Sequence, residues 1–231
     1  MISKKTNLKH KVATLPDLAD FLQRMKPIAL LKPEAELSKT VMKALKERKT
    51  IREISDKKLS LQLLSELLWA ACGVNRKVGP FSISGRTAAS ASNSQEVEVY
   101  VAMEEGTWLY DAIHHSLIPV VAEDLRPLAI GQGQVNFGDK APVRLIYVAD
   151  INKLVHTAGY SEPGLQNAEV QKSYYFVDTG MIAGNVYLFA ASLGLAAWFH
   201  NCNKPELTAK LKLRAEQRVL FGQTVGYPAK G

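Results

Sequence analysis

Residues 177–194 read VDTGMIAGNVYLFAASLG, and only Asp178, Thr179, Asn185 and Ser192 among them are polar. A helix that is apolar on every side has no face for water, so it belongs in a core or an interface. Gly180, Ala183 and Gly184 lie three and four apart and leave a shallow stripe where another backbone can come close. Gly194 is placed to end the helix in a left-handed turn. The run is near the lower end of what crosses a bilayer. Asp178 and Asn185 inside it, and the globular character of the rest of the chain, argue against a membrane. A central buried helix, shared between two subunits, is the better reading.

The chain outside this helix has the size and composition of a globular protein. It has 231 residues, 47% of them hydrophobic, enough for one large domain or two small ones. Cys72 and Cys202 form no CxxC pair and suggest no disulfide framework. A reducing cytoplasm is the expected compartment, and no apolar stretch after the basic start suggests a signal peptide. The net charge of +7 sits at one end. Residues 1–58 hold 15 Lys/Arg against 7 Asp/Glu, whereas residues 59–231 hold 14 against 15. A solvated basic helix surface explains such a bias. A polyanion patch would explain it too, but no RNP motif, zinc finger or clear helix-turn-helix accompanies it, so nucleic acid is not the expected partner. A small anionic ligand is the third explanation.

Residues 1–34 read as a loosely attached arm, with a short helix over Leu15 to Met25 and an extended apolar patch, Ile28 to Leu31, between Pro27 and Pro33. Residues 35–231 read as the main domain. Ser38 is positioned to cap a helix running to Arg48, with Val41, Ala44, Leu45 and Arg48 on one face. Ser60 caps and Gly73 stops a second helix from Leu61 to Cys72. A long Gly/Ser/Asn-rich loop covers 73–95. Strands are expected over Val97 to Ala102, Trp108 to Tyr110, Leu117 to Val120, Pro142 to Ala149, Ala196 to His200 and Val219 to Tyr227, with a helix over Glu123 to Ile130. Residues 152–173 are polar and read as an irregular lid. Asn203 caps a helix that carries Pro205 in its first turn and ends near Leu213. Strands and helices mix without a strict βαβ rhythm, so the fold class is α+β.

The familiar catalytic signatures are missing. There is no P-loop, HExxH or GxSxG. GQGQVNFG (131–138) lacks a third glycine and runs into a strand, so it reads as a turn. The five histidines show no metal spacing, and the adjacent His114 and His115 read as a solvated turn. No nucleophile has an obvious base. An enzyme of this composition would leave the hard chemistry to a cofactor. RKTIR (48–52) gathers three cations and a hydroxyl, which suits a phosphate but equally suits a solvated helix end. SASNSQ (90–95) offers amides that both donate and accept, as the edge of a heteroaromatic ring requires, but a flexible loop has the same composition.

Taken in order, ERKTIR (47–52), LSLQLLSELLWAACGV (59–74), GRTAASASNSQEVEVYV (85–101), APVRLIYVAD (141–150), GLAAW (194–198) and VGYP (225–228) resemble the FMN-dependent nitroreductase family. The likeness covers roughly residues 35–228. It is closest to the branch that contains azoline-forming dehydrogenases of peptide biosynthesis, although ASASNSQE (89–96) is nearer to the loop of ordinary nitroreductases. The resemblance implies a mainly antiparallel sheet flanked by helices, with the central helix in a homodimer interface and two FMN molecules at the subunit boundary. It implies that Arg48 and Thr50 contact the FMN phosphate and ribityl chain, with Lys49 beside them, and that Arg52 faces the N1–C2=O edge. Ser92, Asn93 and Gln95 would bind the flavin, often from the partner subunit. His200 and Asn201 fall in the turn whose backbone approaches N5 and O4, and Lys230 would hold the phosphate. Trp198, Phe199 and Tyr175 are expected in the core. The implied activity is hydride transfer from NADH or NADPH through flavin N5 to a small nitroaromatic- or quinone-like acceptor, with no catalytic side chain and no metal. A specific FMN-dependent dehydrogenase of a heterocycle is one alternative. A non-catalytic FMN-binding or nucleic-acid-binding protein is the other.

Overall fold

The computed structural model describes residues 25–34, 40–134, 141–158 and 167–229. Its frame is a seven-stranded sheet in the order β1-β6-β5-β4-β7-β9-β8, with every neighbouring pair antiparallel. The strands are β1 (Ile28–Ala29), β4 (Val97–Met103), β5 (Gly106–Asp111), β6 (Ser116–Val121), β7 (Val143–Asp150), β8 (Ala196–His200) and β9 (Gln217–Gly226). A small hairpin, β2 (Val74–Arg76) with β3 (Gly85–Arg86), stands apart. The helices are α1 (Val41–Glu47), α2 (Leu61–Cys72), α3 (Ile151–Val155), α4 (Ala168–Leu193) and α5 (Lys204–Lys210).

Central β7 is buried along its whole length, as its continuous apolar run requires. On one face of the sheet, α2 and α4 bury Leu64, Leu67, Leu68, Ile182 and Val186 against Val99, Val101, Leu145 and Tyr147. On the other, Leu207 and Leu211 join Leu125 and Ala129 over Ile146 and Val148. The apolar patch before Pro33 supplies edge strand β1, with Ile28 opposite Leu117. The Leu15–Met25 helix lies outside the described residues except for Met25, whose Sδ and Cε pack at Gly106.

Several helix ends follow the capping chemistry of the sequence. Ser60 Oγ accepts from Leu63 N, Asn203 accepts from Glu206 N, and Gly194 closes α4 at φ 70°. Ser38 lies outside the described residues, and Thr40 caps α1 instead. Of the face expected to be apolar, only Ala44 is buried, while Val41 and Leu45 are exposed.

The remaining differences have local causes. Residues 123–130 form turns rather than a helix. Pro127 lacks an N–H, and the Asp124 carboxylate ties up both the backbone N–H and the guanidinium of Arg126. Much of the expected lid is helical: Asp150 caps α3, and Asn167 caps α4 ten residues before the apolar run begins. Those first turns carry Glu169 and Lys172, so apolarity alone concealed them. Only residues 159–166 of the 152–173 stretch lie outside the description. Residues 73–95 hold the β2–β3 hairpin and short 3-10 turns, and Gln132–Gln134 form another such turn.

α4 is long and apolar enough to cross a membrane by length and composition. Within this fold it lies on the sheet, with Tyr175, Asp178, Thr179, Ile182, Ala183, Val186 and Ala190 buried. Part of its opposite arc is not covered by the described residues. Val177 and Met181 are exposed, and a side chain added at Gly180 or Gly184 would meet nothing within 4 Å.

Candidate functional site

α1 ends at Arg48, where the backbone turns extended (φ −58°, ψ 121°) and carries RKTIR along the open edge of β8. Ile51 N–H donates to Ala197 O at 3.1 Å, Ser55 N–H to Tyr227 O at 2.8 Å and Ala229 N–H to Glu53 O at 2.9 Å. The edge that β8 would leave unpaired is thus partly closed by the motif itself. Tyr187 of α4 anchors the motif from the other side. Its hydroxyl accepts from Phe199 N–H at 2.8 Å and shares a 3.2 Å hydrogen bond with Thr50 Oγ1. The Arg48 guanidinium lies 5.5 Å over the Tyr187 ring, and Arg52 lies 5.5 Å over Trp198.

Arg48, Lys49 and Arg52 are exposed, and none forms an ion pair among the described residues. Beside them opens a cleft of about 640 Å³ whose lining includes Lys46, Glu47, Lys49, Ile51, Tyr187 and Pro228, but neither Arg48 nor Arg52. Two lysines in a lining of this size suit a phosphate-bearing ligand, with Glu47 the one acid beside them among the described residues. Lys230 lies outside the described residues, two positions past Pro228.

The amide loop is built differently. Ser92, Asn93 and Gln95 all adopt left-handed backbone, at φ 48°, 55° and 51°. Three such residues in four positions are costly and persist only where the surroundings hold them. The Gln95 side chain is fully used: Nε2 donates to Ser84 O at 2.6 Å and Asn93 Oδ1 at 2.9 Å, while Oε1 accepts from Arg86 Nε at 2.6 Å. Asn93 Nδ2 has only two 3.4 Å contacts, to Pro80 O and Ser84 O. Asn93 is therefore the amide most free to meet a ligand, and Gln95 is the one that shapes the loop. Thr157 Oγ1 donates to Ser92 O at 3.2 Å.

These two groups do not meet in one chain. RKTIR reaches the central helix at Tyr187, and the amide loop reaches it at Asp178, whose Oδ2 accepts from Ala91 N–H at 2.8 Å. Nine helical residues separate the contacts, an axial distance of about 14 Å and a rotation of about half a turn. The cation motif and the amides therefore lie on opposite flanks of α4.

His200 is 4% exposed. Its Nδ1 lies 2.9 Å from Asn201 O and its Nε2 2.7 Å from Thr224 Oγ1. A ring that donates to the carbonyl and accepts from the hydroxyl is neutral, and burial pushes its pKa down to about 4. Its side chain is committed to the core, so any ligand contact in this turn falls to the backbone or to exposed Asn201. Trp198 and Tyr175 are buried as expected. His115 is held between Tyr110 OH and Leu31 O, and no group of three potential metal ligands exists among the described residues.

Residues 45–227 match the nitroreductase family. This chain belongs to that family. The family indicates an oxidoreductase, and its fold is the one seen here. A Methanocaldococcus jannaschii protein that carries the nitroreductase name is 32% identical over 156 residues, 64% of this chain and 72% of its own length. The crystal structure of a nitroreductase homologue from Ralstonia eutropha superposes with a TM-score of 0.76 at 31% identity, covering 90% of this chain and 91% of the other. A chain of the Escherichia coli microcin synthetase complex, solved with a truncated precursor bound, has a TM-score of 0.63 at 16% identity, covering 96% of this chain and 77% of that one. That likeness speaks for the fold alone.

Sequence reading did not single out Tyr187, Glu96, Arg86 or Lys46. Tyr187 sits in an apolar run where an aromatic residue reads as packing, and only the chain reversal at Gly194 brings it beneath β8. Asp178 was visible as an acid inside that run, but its partner loop was not.

Proposed function

We propose that this chain is an FMN-dependent oxidoreductase that takes hydride from NADH or NADPH and passes electrons to a small nitroaromatic- or quinone-like acceptor. The observation that carries the reading is the set of cations Arg48, Lys49 and Arg52, without an ion pair among the described residues, along the β8 edge beside an open cleft that Lys49 lines. Arg48, Lys49 and Lys46 would hold the phosphate, with the Thr50 hydroxyl toward the ribityl chain. Bound FMN supplies the hydride-accepting and electron-delivering chemistry. Arg52 forms no ion pair among the described residues and would stabilise negative charge that accumulates beside it on reduction. Phe199 and Trp198 give the edge rigid walls that exclude water.

Because Asn93 lies on the far flank of the central helix, a second copy must bring its own loop across to complete the site. A homodimer packed through the uncovered arc of Val177, Gly180, Met181 and Gly184 meets that need. In this reading residues 35–231 would form the FMN-binding domain and residues 1–34 an N-terminal arm, of whose described part Ile28–Ala29 pair with β6 as β1. Two free cysteines suit a cytoplasmic setting.

The test is the visible spectrum of the purified protein, followed by denaturation and identification of the released chromophore. A flavin spectrum with about one FMN per chain is expected. Arg48→Ala should weaken FMN binding by roughly 1.5–3 kcal/mol, the worth of a charge-assisted hydrogen bond. A colourless protein that takes up no added FMN overturns the reading.

A further inference from the structure

Beneath the strained loop lie two buried acids. Glu96, at the foot of β4, is 0% exposed, and Asp178, on the central helix, is 4% exposed. Each holds one end of the loop. Asp178 Oδ2 accepts from Ala91 N–H at 2.8 Å, and Glu96 Oε2 accepts from Ser94 Oγ at 2.6 Å. Glu96 Oε1 is buried with no donor among the described residues, and the Asp178 carboxyl is its neighbour. Both acids are buried and line one small cavity, and two neighbouring carboxylates cannot both be ionised away from water, so one proton held by the pair gives the orphaned Glu96 Oε1 its partner.

The cavity, of about 80 Å³, is also lined by Cys72, Gln95 and Tyr110. Two cations line it as well, Arg86 and Lys153, and no hydrogen bond or ion pair joins either of them to Glu96 or Asp178 among the described residues. Arg86 is turned toward Gln95 Oε1 at 2.6 Å and Cys72 O at 3.3 Å. Lys153 is spent on Glu98 at 2.7 Å, and Asp150 on Arg214 at 2.6 Å. Burial raises Cys72 to about 11 and raises Tyr110 as well, so both stay neutral.

We propose that Glu96 and Asp178, sharing one proton, act as a positioning latch that holds the Ser90–Gln95 loop against the central helix, and that loss of the proton to solvent releases the loop and weakens flavin binding there. The second half rests on the FMN reading above; the first does not. Desolvation first, and the Asp178 charge beside it, raise Glu96 to about 7, so the latch weakens as pH rises from the ordinary carboxylate range toward that value. With the proton gone, two adjacent charges repel inside a small cavity. Swinging the loop out to admit water is the available relief, and the left-handed residues between the two anchors then lose what holds them.

Amide hydrogen exchange of the flavin-free chain, corrected for intrinsic rates, tests the latch between about pH 5.5 and 8.5. In the wild type, protection across residues 88–97 should fall, by up to about tenfold per pH unit, as pH rises toward about 7, and should level off above it. Glu96→Gln keeps the shape, donates to Asp178 without a titrating proton and still accepts from Ser94, so its protection should stay flat. Asp178→Asn, which accepts from Ala91 and donates to Glu96, should be flat as well. Wild-type protection that ignores pH, or a Glu96→Gln profile that tracks the wild type, overturns the latch.

FMN titrations by fluorescence quenching in the same buffers separate the two claims. Wild-type affinity should fall over the same pH range as the protection of the loop, and Glu96→Gln affinity should not. A loop that titrates in a protein binding no FMN at any pH supports the latch and removes the cofactor reading. Tight FMN binding over a loop that never titrates does the reverse.

Discussion

Tyr187 joins three segments that are far apart in sequence. Its hydroxyl ties Thr50, from the end of α1, to the backbone of Phe199 in β8, and its ring lies under Arg48. Tyr187→Phe keeps the ring and removes the oxygen. That leaves the half-buried Phe199 N–H without its acceptor, a loss of roughly 1–2 kcal/mol. Urea unfolding should show a lower midpoint with an unchanged slope. Tyr187→Ala should cost more and loosen Arg48 as well. An unaltered midpoint in Tyr187→Phe would mean the hydroxyl anchors nothing. Residues of this kind are hard to read from a sequence because their partners are set by topology. RKTIR was legible because its charges stand alone; Tyr187 was not, because a tyrosine among Val, Leu and Phe looks like packing.

Local chemistry decided the elements wherever it acted alone. Asn203 and Pro205 opened α5, and Gly194 closed the central helix, as their types dictate. Where tertiary contacts compete, propensity failed: residues 123–130 have helical composition, but Pro127 and the Asp124–Arg126 clasp hold them in turns. The central helix is the instructive case. Its all-round apolarity correctly announced burial on more than one side: the sheet covers one arc and α1 and α2 pack on another, yet among the described residues Val177 and Met181 stay exposed beside two glycines with open space over them. If a second copy packs there, Gly184→Leu should split the dimer. The leucine replaces a poor helix former, with a local gain of about 0.8 kcal/mol, so the monomer should keep its far-UV dichroism. Sedimentation at micromolar concentration reads the outcome. A Gly184→Leu chain that dimerises as tightly as the wild type would move the interface elsewhere.

At the scale of the whole molecule, the order of motifs along the chain revealed the family. The division of the site across the two flanks of α4 emerged only in three dimensions: a nine-residue spacing already turns Asp178 and Tyr187 to opposite faces, but no linear pattern records which distant segment each one meets. The same helix-on-sheet packing buries titratable groups whose effects oppose each other. His200 is pushed from an ordinary value of 6.5 down to about 4 by burial, with Arg144 adding to the shift. Between those values the unfolded chain binds the extra proton, so His200 makes stability rise with pH and fall as pH drops toward about 4. Glu96 is raised from 4.5 to about 7. Between those values the folded chain binds the extra proton, so Glu96 makes stability fall as pH rises. The two effects oppose each other between about pH 4.5 and 6.5, so the wild-type urea midpoint should vary less across that window than the midpoint of either single variant. Glu96→Gln removes the falling contribution, so its stability should climb with pH toward about 6.5. His200→Gln removes the rising one, so its stability should decline with pH toward about 7. Parallel profiles for all three proteins would show that neither buried group titrates in the folded chain as its surroundings require.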